Sequence, residues 1–591
     1  MLAHINRAKK YQRIAAILIL TLLITCTAVQ PAGAAVTTTG KWSLLGGVYT
    51  GIDNGAVYDI ETVNFGEPST GWYIGGSFEN AGGNDVADKI AKINKHGTFW
   101  SALYNPLNGD VYDIEIYNDV LYAGGSFTNA GGDANADYIA KFTNADGWQA
   151  VGTGLGADGN TVYDIEFKNG VLYAGGAFTN AGDVYGDYIA KFESGSWSSL
   201  GGLGSNLVGG WVYDIEFDNN GVLHAAGNFL NAGGDVNADR VAKYEGGAWS
   251  ALGADGTASL SNGTVYDIEF LSFGIYGSIW YAGGSFTDAG GDTNADYIAR
   301  LTSASTAWGS LGGAGTGLNG IVYEINTHNY VVHAGGAFTD AGGDVNADHI
   351  AKFSSGAWSS LGGAGTGLND TVRAIEFDGN LLIVGGDFTD AGGNIYADRI
   401  AKYVFALTAT SQGKYDGWIL ESSETSGKGG TKNSTGKTLR VGDDANNRQY
   451  RSILSFNTAA IPDDAVITNV YLKVKKAGVV GTNPYKTHKD FYADIRKNKF
   501  GTSPKLQLSD FQAAASHNLA GLMLKTTASA WYQTKLNSPA LPYIKKNGTT
   551  QFRLRFTKGD NNDSGADYLK FYSGNAGTNS RPKLIVEYYV P

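Results

Sequence analysis

Cysteine is almost missing from this chain, since Cys26 is the only one among 591 residues. Without a second cysteine there is no internal disulfide, so packing must supply the stability. Proline is scarce at 10 residues, and histidine numbers only 8. The sequence contains no His-x-x-x-His pair and no Gly-x-Ser-x-Gly motif. These absences argue against the common zinc-hydrolase and serine-hydrolase signatures.

Long apolar runs are also absent, except near the N-terminus. Four basic residues precede an uncharged run at 14–29, and Ala32-Gly33-Ala34 follows it. This order is typical of a secretory signal peptide, so residues 1–34 are predicted to be removed. The chain is then expected to be secreted, extracellular or on the cell surface, and not membrane-spanning. Residues 23–26 resemble a bacterial lipobox, which makes lipidation of Cys26 the alternative.

Positive charge is scarce in one half of the chain only. Residues 36–404 contain 14 Lys and Arg against 42 Asp and Glu, whereas residues 405–591 contain 26 against 14. Such an asymmetry indicates two domains of opposite net charge. We therefore predict one domain at 35–404 and a second at 405–591.

Glycine is abundant, at 85 residues, and much of it lies in a repeat. The stretch Gly124–Phe142 recurs with close copies that begin at Gly75, Gly175, Ala226, Gly283, Gly335 and Gly385. Each unit of about fifty residues has four short alternating segments separated by turn signals. Four antiparallel strands per repeat predict the blades of a β-propeller, in an all-β protein.

The number of blades and the closure of the ring follow from one tryptophan. It occurs in the fourth segment of six units, and the seventh unit ends without it. Trp42, just after the predicted signal peptide, supplies the missing copy. We therefore predict seven blades closed by the N-terminal strand, which leaves no large exposed sheet edge.

The repeated loops carry acidic and amide residues at alternate positions. Oxygen-bearing side chains spaced in this way resemble the start of a calcium loop, although the later glycine and bidentate acid are missing. The alternative is that these side chains cap their own backbone, and it is favoured. The candidate calcium ligands are Asp133, Asn135, Asp137, Asp235, Asn237, Asp239, Asp292, Asn294, Asp296, Asp344, Asn346 and Asp348.

The first strand of each blade carries acids, which form two rows around the propeller. The two acids of one strand are two residues apart, so both rows lie on the same strand face. Such carboxyls could act in catalysis or bind a cation. The favoured interpretation is a structural network with the third-strand bases, such as Lys191, or with the backbone, since buried charge must be paired. The rows are Asp59, Asp113, Asp164, Asp214, Asp267 and Glu324, and Glu61, Glu115, Glu166, Glu216, Glu269 and Glu376.

The basic half shows alternating strands that predict an antiparallel β-sandwich. Its aromatic residues could stack on sugars, and its positive charge suits an acidic polysaccharide. The alternative is that the aromatics are core and that the lysines only solvate the surface. The candidate ligand-binding residues are Trp418, Arg448, Tyr450, Trp531 and Tyr532.

Both halves resemble known families. The run Gly-Gly-x-Phe-Thr, a short loop, Ile-Ala-Lys and Trp-x-x-Leu-Gly resembles the delta-sixty and related bacterial propeller repeats over about 45–404. A DNRLRE-type jelly-roll domain, some relatives of which are carbohydrate-binding modules, is what the second half resembles at residues 416–419, 439–442, 451–456, 461–467, 571–573 and 581–588. The resemblance implies a secreted bacterial surface protein.

Together these patterns predict a non-catalytic binding or surface protein. Its basic sandwich would bind an anionic glycan or a cell-envelope component, and no nucleic acid is expected as a partner. The alternative is a glycan-active enzyme, a polysaccharide lyase or hydrolase, with its site at one mouth of the propeller. No cofactor is implied other than the candidate calcium.

Overall fold

The computed structural model describes residues 36–589 with internal gaps, and side chains from Gly40 to Tyr588. The gaps are 46–50, 53, 64–70, 95–96, 98, 156–159, 182–186, 201–209, 254–259, 261, 306, 314–316, 362–366, 380, 394–396, 464 and 527–529. The predicted signal peptide at 1–34 lies outside the described residues. The chain divides into two compact units, one built mainly of Thr38–Ala406 and the other of Leu407–Ile461 and Val470–Ile585.

The first unit is an all-β propeller in which six blade sheets are separate. Within each sheet the strands pair antiparallel in chain order. The strands are β1 Val36–Leu44, β2 Val57–Val63, β3 Gly71–Gly76, β4 Ile90–Asn94, β5 Trp100–Ala102, β6 Val111–Tyr117, β7 Val120–Gly125, β8 Ile139–Thr143, β9 Gly147–Ala150, β10 Val162–Lys168, β11 Val171–Gly176, β12 Ile189–Glu193, β13 Ser196–Ser199, β14 Val212–Phe217, β15 Leu223–Gly227, β16 Val241–Glu245, β17 Ala248–Ala251, β18 Val265–Ser272, β19 Ser278–Gly284, β20 Ile298–Thr302, β21 Val322–His328, β22 Val331–Gly336, β23 Ile350–Ser354 and β24 Ala357–Ser359. Strands β2 to β24 make up the six sheets, of which the fifth has three strands.

A further strand set follows the sixth sheet. It comprises β25 Val372–Asp378, β26 Leu381–Gly386 and β27 Ile400–Thr410, paired antiparallel in that order. The N-terminal strand β1 pairs with β27. Trp42 of β1 is 5% exposed and meets the ring of Tyr403 edge-on at 5.1 Å. The N-terminal strand therefore packs against the last strand of this set through Trp42.

The hairpins form because their turn residues accept positive φ. Asn169 and Gly170, between β10 and β11, have φ values of 53° and 84°. Two successive positive values define the type I′ turn that Asn-Gly favours between antiparallel strands. Short 3₁₀ helices lie in several of the described loops, at Ala81–Gly83, Ala130–Gly132, Ala232–Gly234, Gly274–Tyr276, Ala289–Gly291 and Ala341–Gly343.

Neighbouring blades pack through a glycine on one side and a valine on the other. A Cβ placed on Gly124 would lie 2.7 Å from Cγ1 of Val162 in the next blade. Similarly, a Cβ on Gly385 of β26 would lie 2.3 Å from Cγ1 of Val57 in β2. The close approach favours glycine, which occupies this position in six of the seven copies, while the fourth copy has the next smallest residue, Ala226.

The second unit is also built of antiparallel strands. Its strands are β28 Gly417–Glu421, β29 Gly429–Asn433, β30 Thr438–Asp443, β31 Gln449–Asn457, β32 Val466–Val480, β33 Phe491–Lys497, β34 His517–Leu522, β35 Leu524–Lys525, β36 Trp531–Lys535, β37 Thr549–Phe556, β38 Tyr568–Tyr572 and β39 Lys583–Tyr589. They form one large sheet in the order β39-β32-β38-β30-β31-β37-β33-β34, with β28, β29, β35 and β36 as side branches. Short 3₁₀ helices lie at Pro484–Lys486, Leu508–Phe511, Ser538–Tyr543 and Thr578–Ser580.

The core of this second unit is aromatic. Phe491 stacks on Phe556 at 5.1 Å and on Phe571 at 5.4 Å, and all three rings are at most 1% exposed. Over the described residues of the chain, no helix is long and apolar enough to cross a membrane.

Candidate functional site

Six tyrosines form most of a ring at one end of the propeller axis. Each is the second residue of a first strand, and the strand register shifts beside it, for example between Val57 and Asp59. The extra residue of such a bulge lets two consecutive side chains point to the same side. Adjacent rings contact one another at 4.8–5.2 Å, in the order Tyr58, Tyr112, Tyr163, Tyr213, Tyr266 and Tyr323.

Arg373 fills the seventh place of the ring. Its guanidinium carbon lies 4.7 Å from the ring centre of Tyr323 and 5.5 Å from that of Tyr58. Its Nε donates to Oδ2 of Asp387 at 2.7 Å. Although burial opposes the charge, this carboxylate raises the pKa of Arg373. One permanent cation therefore interrupts a ring of phenols.

A cavity of about 270 Å³ opens inside this ring. Below the phenols it is lined by one row of the predicted acids, Asp59, Asp113, Asp164, Asp214, Asp267 and Glu324. Four of these acids accept a backbone N–H from the following blade, such as Ile114 N to Asp59 Oδ2 at 2.9 Å and Ile325 N to Asp267 Oδ2 at 2.6 Å. The predicted acid–backbone network is confirmed for these carboxyls.

Burial raises the pKa of the axial carboxyls, and repulsion from neighbouring acids adds to the effect. The pKa of Asp59 rises to about 7 and that of Glu61 to about 9. The pKa of Glu166 rises to about 8 and that of Glu216 to about 9. Near neutral pH these glutamates hold their protons, so the axis carries far less negative charge than its composition indicates.

The prediction that third-strand lysines pair with these acids is wrong for the lysines whose partners the structure shows. Lys191 pairs with Glu193 of its own strand at 2.8 Å, and Lys243 likewise pairs with Glu245 at 3.0 Å. The strand register explains this, because Tyr173 lies opposite both Glu166 and Lys191 and separates them. In the row that contains Glu61, Glu269 and Glu376 instead accept hydrogen bonds from threonine hydroxyls, Glu269 from Thr327 at 2.5 Å and Glu376 from Thr62 at 2.5 Å.

The candidate calcium loops use their carboxylates as backbone caps. Asp133 accepts the N–H groups of Asn135 at 3.0 Å and Ala150 at 3.2 Å. Asp137 accepts the N–H of Asn129 at 2.6 Å. The same bonds recur at Asp235 and Asp239, Asp292 and Asp296, and Asp344 and Asp348. Among the described residues, no three His, Cys, Asp or Glu side chains are grouped so that they could hold a metal.

Calcium binding by these loops remains a prediction with a direct test. We expect the melting temperature to be the same in calcium and in chelator, because the carboxylate oxygens already accept N–H bonds. By contrast, Asp133→Ala removes two caps and should lower stability by about 1 kcal/mol. A rise in melting temperature with calcium that Asp133→Ala abolishes would establish the loops as a metal site.

The five predicted ligand-binding residues of the second unit differ in accessibility. Tyr450 is 5% exposed and Tyr532 is 4% exposed, so neither offers a ring face to a sugar, and both are core residues. Trp418 is half-buried, and the guanidinium of Arg440 lies 4.7 Å from its ring centre. Arg448 is occupied by Asp444, which accepts from its Nη2 at 2.6 Å.

Trp531 lies in a different setting, on an outward sheet face. Residues of β32 and β36 alternate between buried and partly exposed, and Lys475 is paired with Trp531 in register. The Nζ of Lys475 lies 6.0 Å from the Trp531 ring centre, and that of Lys583 on β39 lies 5.7 Å from it. Lys473 and Lys535 point to the same side, because residues two apart share a face.

We refer to Lys473, Lys475, Trp531, Lys535 and Lys583 as the lysine–tryptophan face. Within the part of the chain that the structure describes, none of its four lysines forms an ion pair. Much of the arginine charge is taken up elsewhere, since the 4%-exposed Arg553 pairs with Asp494 at 2.9 Å. The positive charge available to a ligand is therefore mainly lysine.

Sequence reasoning found the acids but missed the tyrosine ring. A strict period of two puts Tyr58 on the face opposite to Asp59, whereas the bulge turns both toward the axis. The signal was present in the repeated triplet Val-Tyr-Asp, in which a tyrosine recurs at a position that alternation alone does not explain.

Comparisons with known proteins give distant likenesses of fold only. No family model matches the chain, and no curated protein is similar to it. The extracellular domain of BT4673 from B. thetaiotaomicron shares 10% identity and a TM-score of 0.38, over 62% of this chain and 45% of that one. The WD40 β-propeller domain of Doa1 shares 12% identity and a TM-score of 0.37, over 64% and 97%. This chain thus spans less than half of the BT4673 structure.

Proposed function

We propose that this protein is a secreted, non-catalytic binding protein whose second unit attaches it to an anionic glycan. The supporting observation is the lysine–tryptophan face, where an aromatic ring is bordered by the ammonium groups of Lys475 and Lys583. Aromatic rings suit the apolar faces of sugars, and lysines suit their carboxylates or sulfates. The proposed ligand is an acidic polysaccharide or a cell-envelope glycan.

We further propose that the first unit has seven blades. Strands β25, β26, β27 and β1 would form the seventh, with Trp42 as its outer-strand tryptophan. The glycine–valine approach between Gly385 and Val57 supports this, because it repeats the contact between the other blades. A ring closed in this way presents a rigid scaffold, and the motifs favour kinship with delta-sixty-like repeats and, for the second unit, with DNRLRE-type jelly rolls.

A non-catalytic role is favoured by the repetition of the axial acids. Asp59 and Asp267 accept equivalent backbone N–H bonds from the following blade. Acid–base catalysis instead needs two groups whose environments assign them different tasks. The acids of the axis therefore support a structural role better than a hydrolase or lyase site.

The proposal is tested by the binding of the full mature chain to immobilised polyuronate, sulfated polysaccharide and neutral dextran. We expect binding to the two acidic polymers at low salt, weakening steeply as salt rises, because screening acts on exposed charges. The variant Lys475→Gln/Lys583→Gln should lose at least about tenfold in affinity, since each charge-assisted contact contributes about 1.5–3 kcal/mol. Trp531→Ala should weaken binding further at low salt.

The matched control is Lys489→Gln/Lys497→Gln, which removes the same charge from exposed positions elsewhere on the unit. It should retain nearly full affinity. If both double variants lose affinity equally, the binding depends on the net charge of the unit alone, and the lysine–tryptophan face is not a specific binding site. If no acidic polymer binds at low salt, the glycan proposal fails.

A further inference from the structure

The mouth of the propeller departs from its repeat at one sector. In six first strands the ring residue is tyrosine and the next residue is an acid, but here the pair is Arg373 and Ala374. Asp387, which accepts the Arg373 Nε, occupies a position that is serine, alanine or asparagine in the other copies. The cation and the carboxylate that orients it therefore occur together, in the sector where Ala374 replaces the cavity-lining acid of the other first strands.

A second departure lies across the mouth. Trp211 stands where other copies have small, β-branched or acidic residues. Its ring lies 6.2 Å from those of Tyr163 and Tyr213, and 43% of the residue is exposed. In the ring order, three tyrosines separate Arg373 from this point on either side. Trp211 thus adds an exposed aromatic ring beside the tyrosine ring, at the point of the ring order opposite Arg373.

We infer that the tyrosine mouth binds a monosaccharide-sized ligand that carries one carboxylate and several hydroxyls, such as a uronic acid. The carboxylate would lie on Arg373 and the sugar ring against Trp211, with phenol and carboxyl groups of the lining bonding the hydroxyls. This site belongs to the first unit and is independent of the lysine–tryptophan face.

The chemistry of the lining selects this class of ligand. Guanidinium and carboxylate match as charge-assisted, planar partners. A multiply charged anion would find only one cation to match it, because Arg373 is the single basic residue of the described lining, so one carboxylate is the charge that fits. The cavity of about 270 Å³ is near the lower end of small-molecule sites, which favours one sugar unit over a long oligomer.

The ligand has two sources with the same chemistry, a free sugar acid or the terminal unit of a polyuronate chain. Titration calorimetry on the full mature chain with glucuronate, galacturonate and a defined oligouronide separates them. The comparison is made in the Lys475→Gln/Lys583→Gln variant, which removes the glycan face. Monomers that bind more tightly than the oligouronide indicate a free sugar acid, and an oligouronide that binds more tightly, once per chain, indicates recognition of the end. Glucose and galactose are the uncharged partners, and we expect them to bind at least about tenfold more weakly.

Variants locate the site. Arg373→Gln and Asp387→Asn should each weaken uronate binding, the first by at least about tenfold, while Arg300→Gln, an exposed arginine of β20, should leave it unchanged. Trp211→Ala should also weaken binding without altering the circular dichroism spectrum. Lys475→Gln/Lys583→Gln should bind monomeric uronates normally, so failure of the glycan face and failure of the mouth are distinguishable.

Three results would overturn the inference. They are no uronate binding at millimolar concentration, equal binding of glucose and glucuronate, and unchanged affinity in a correctly folded Arg373→Gln variant. Arg373→Lys resolves the case in which Arg373→Gln unfolds, because it keeps the charge but loses the planar donor pair, and we expect it to bind with intermediate affinity.

Discussion

Replacing Trp42 by alanine is expected to lower the free energy of unfolding of the propeller by about 3–5 kcal/mol, the range for truncating a buried tryptophan. The ring is 5% exposed and packs in a core cluster with Leu368 and Phe388. It also fixes β1 against β27, so its loss leaves both a cavity and a loosened outer strand. Denaturant unfolding followed by tryptophan fluorescence measures the change.

Trp211→Ala is the matched control, because the same substitution on the 43%-exposed rim should cost about 1 kcal/mol or less. Deleting residues 36–44 should have a larger effect than Trp42→Ala, since it uncovers the edge of β27 and invites association between chains. Equal stability of Trp42→Ala and Trp211→Ala would show that the N-terminal strand does not hold the ring.

The second large effect is a fall in stability as pH rises from about 4.5 to 9. The pKa of Glu61 and of Glu216 is raised to about 9, and that of Glu166 to about 8. In the unfolded chain these carboxyls have a pKa near 4.3, so between the two values the folded state binds more protons. Stability must then decrease with increasing pH, by about 1.4 kcal/mol per pH unit for each such group.

At the acid end the sign reverses. Backbone N–H bonds from Ser310 and Asn294 lower the pKa of Asp292 to about 2, and equivalent bonds lower that of Asp344 to about 2. Their stabilisation is present above the unfolded pKa and is lost as pH falls through about 2. The melting temperature should therefore be highest near pH 4–5.

Glu216→Gln is the informative variant for this profile, because glutamine imitates the protonated acid in shape and charge. We expect it to resemble the parent at pH 5 and to be more stable than the parent at pH 8–9, by a few kcal/mol. Glu245→Gln, at an exposed position of β16, should leave the slope unchanged. A melting temperature that is flat from pH 5 to 9 would mean that the axial acids ionise without cost.

Much of this structure could be predicted from the sequence because the signals were local and repeated. Turn signals and strand alternation located the hairpins, and the count of outer tryptophans predicted that the N-terminal strand lies beside the end of the last repeat, where β1 pairs with β27. The second unit is likewise built of antiparallel strands, as the alternation in the basic half predicted. These features depend on neighbours in the chain, which a sequence displays directly.

The candidate sites were harder to predict, since they depend on contacts between distant residues. Strand register, which no single segment determines, put Tyr173 between Glu166 and Lys191. Burial distinguishes Tyr450 and Tyr532, which are core residues, from Trp418 and Trp531, which are partly exposed. The lysine–tryptophan face combines three strands, and only their pairing reveals that Lys475 and Lys583 meet at one ring.

The glycine–valine contact between blades makes the repeat a self-complementary building block. Each copy carries the small residue of the contact on its second strand, glycine in six copies and Ala226 in the fourth, and the valine on its first strand. Any copy can therefore follow any other head to tail. A heterologous contact of this kind does not depend on the number of units. The rotation from one blade to the next alone decides whether the array closes into a ring or continues as a helix. Gene duplication could therefore lengthen or shorten the array without redesigning any joint, and the N-terminal strand alone would have to match the final count.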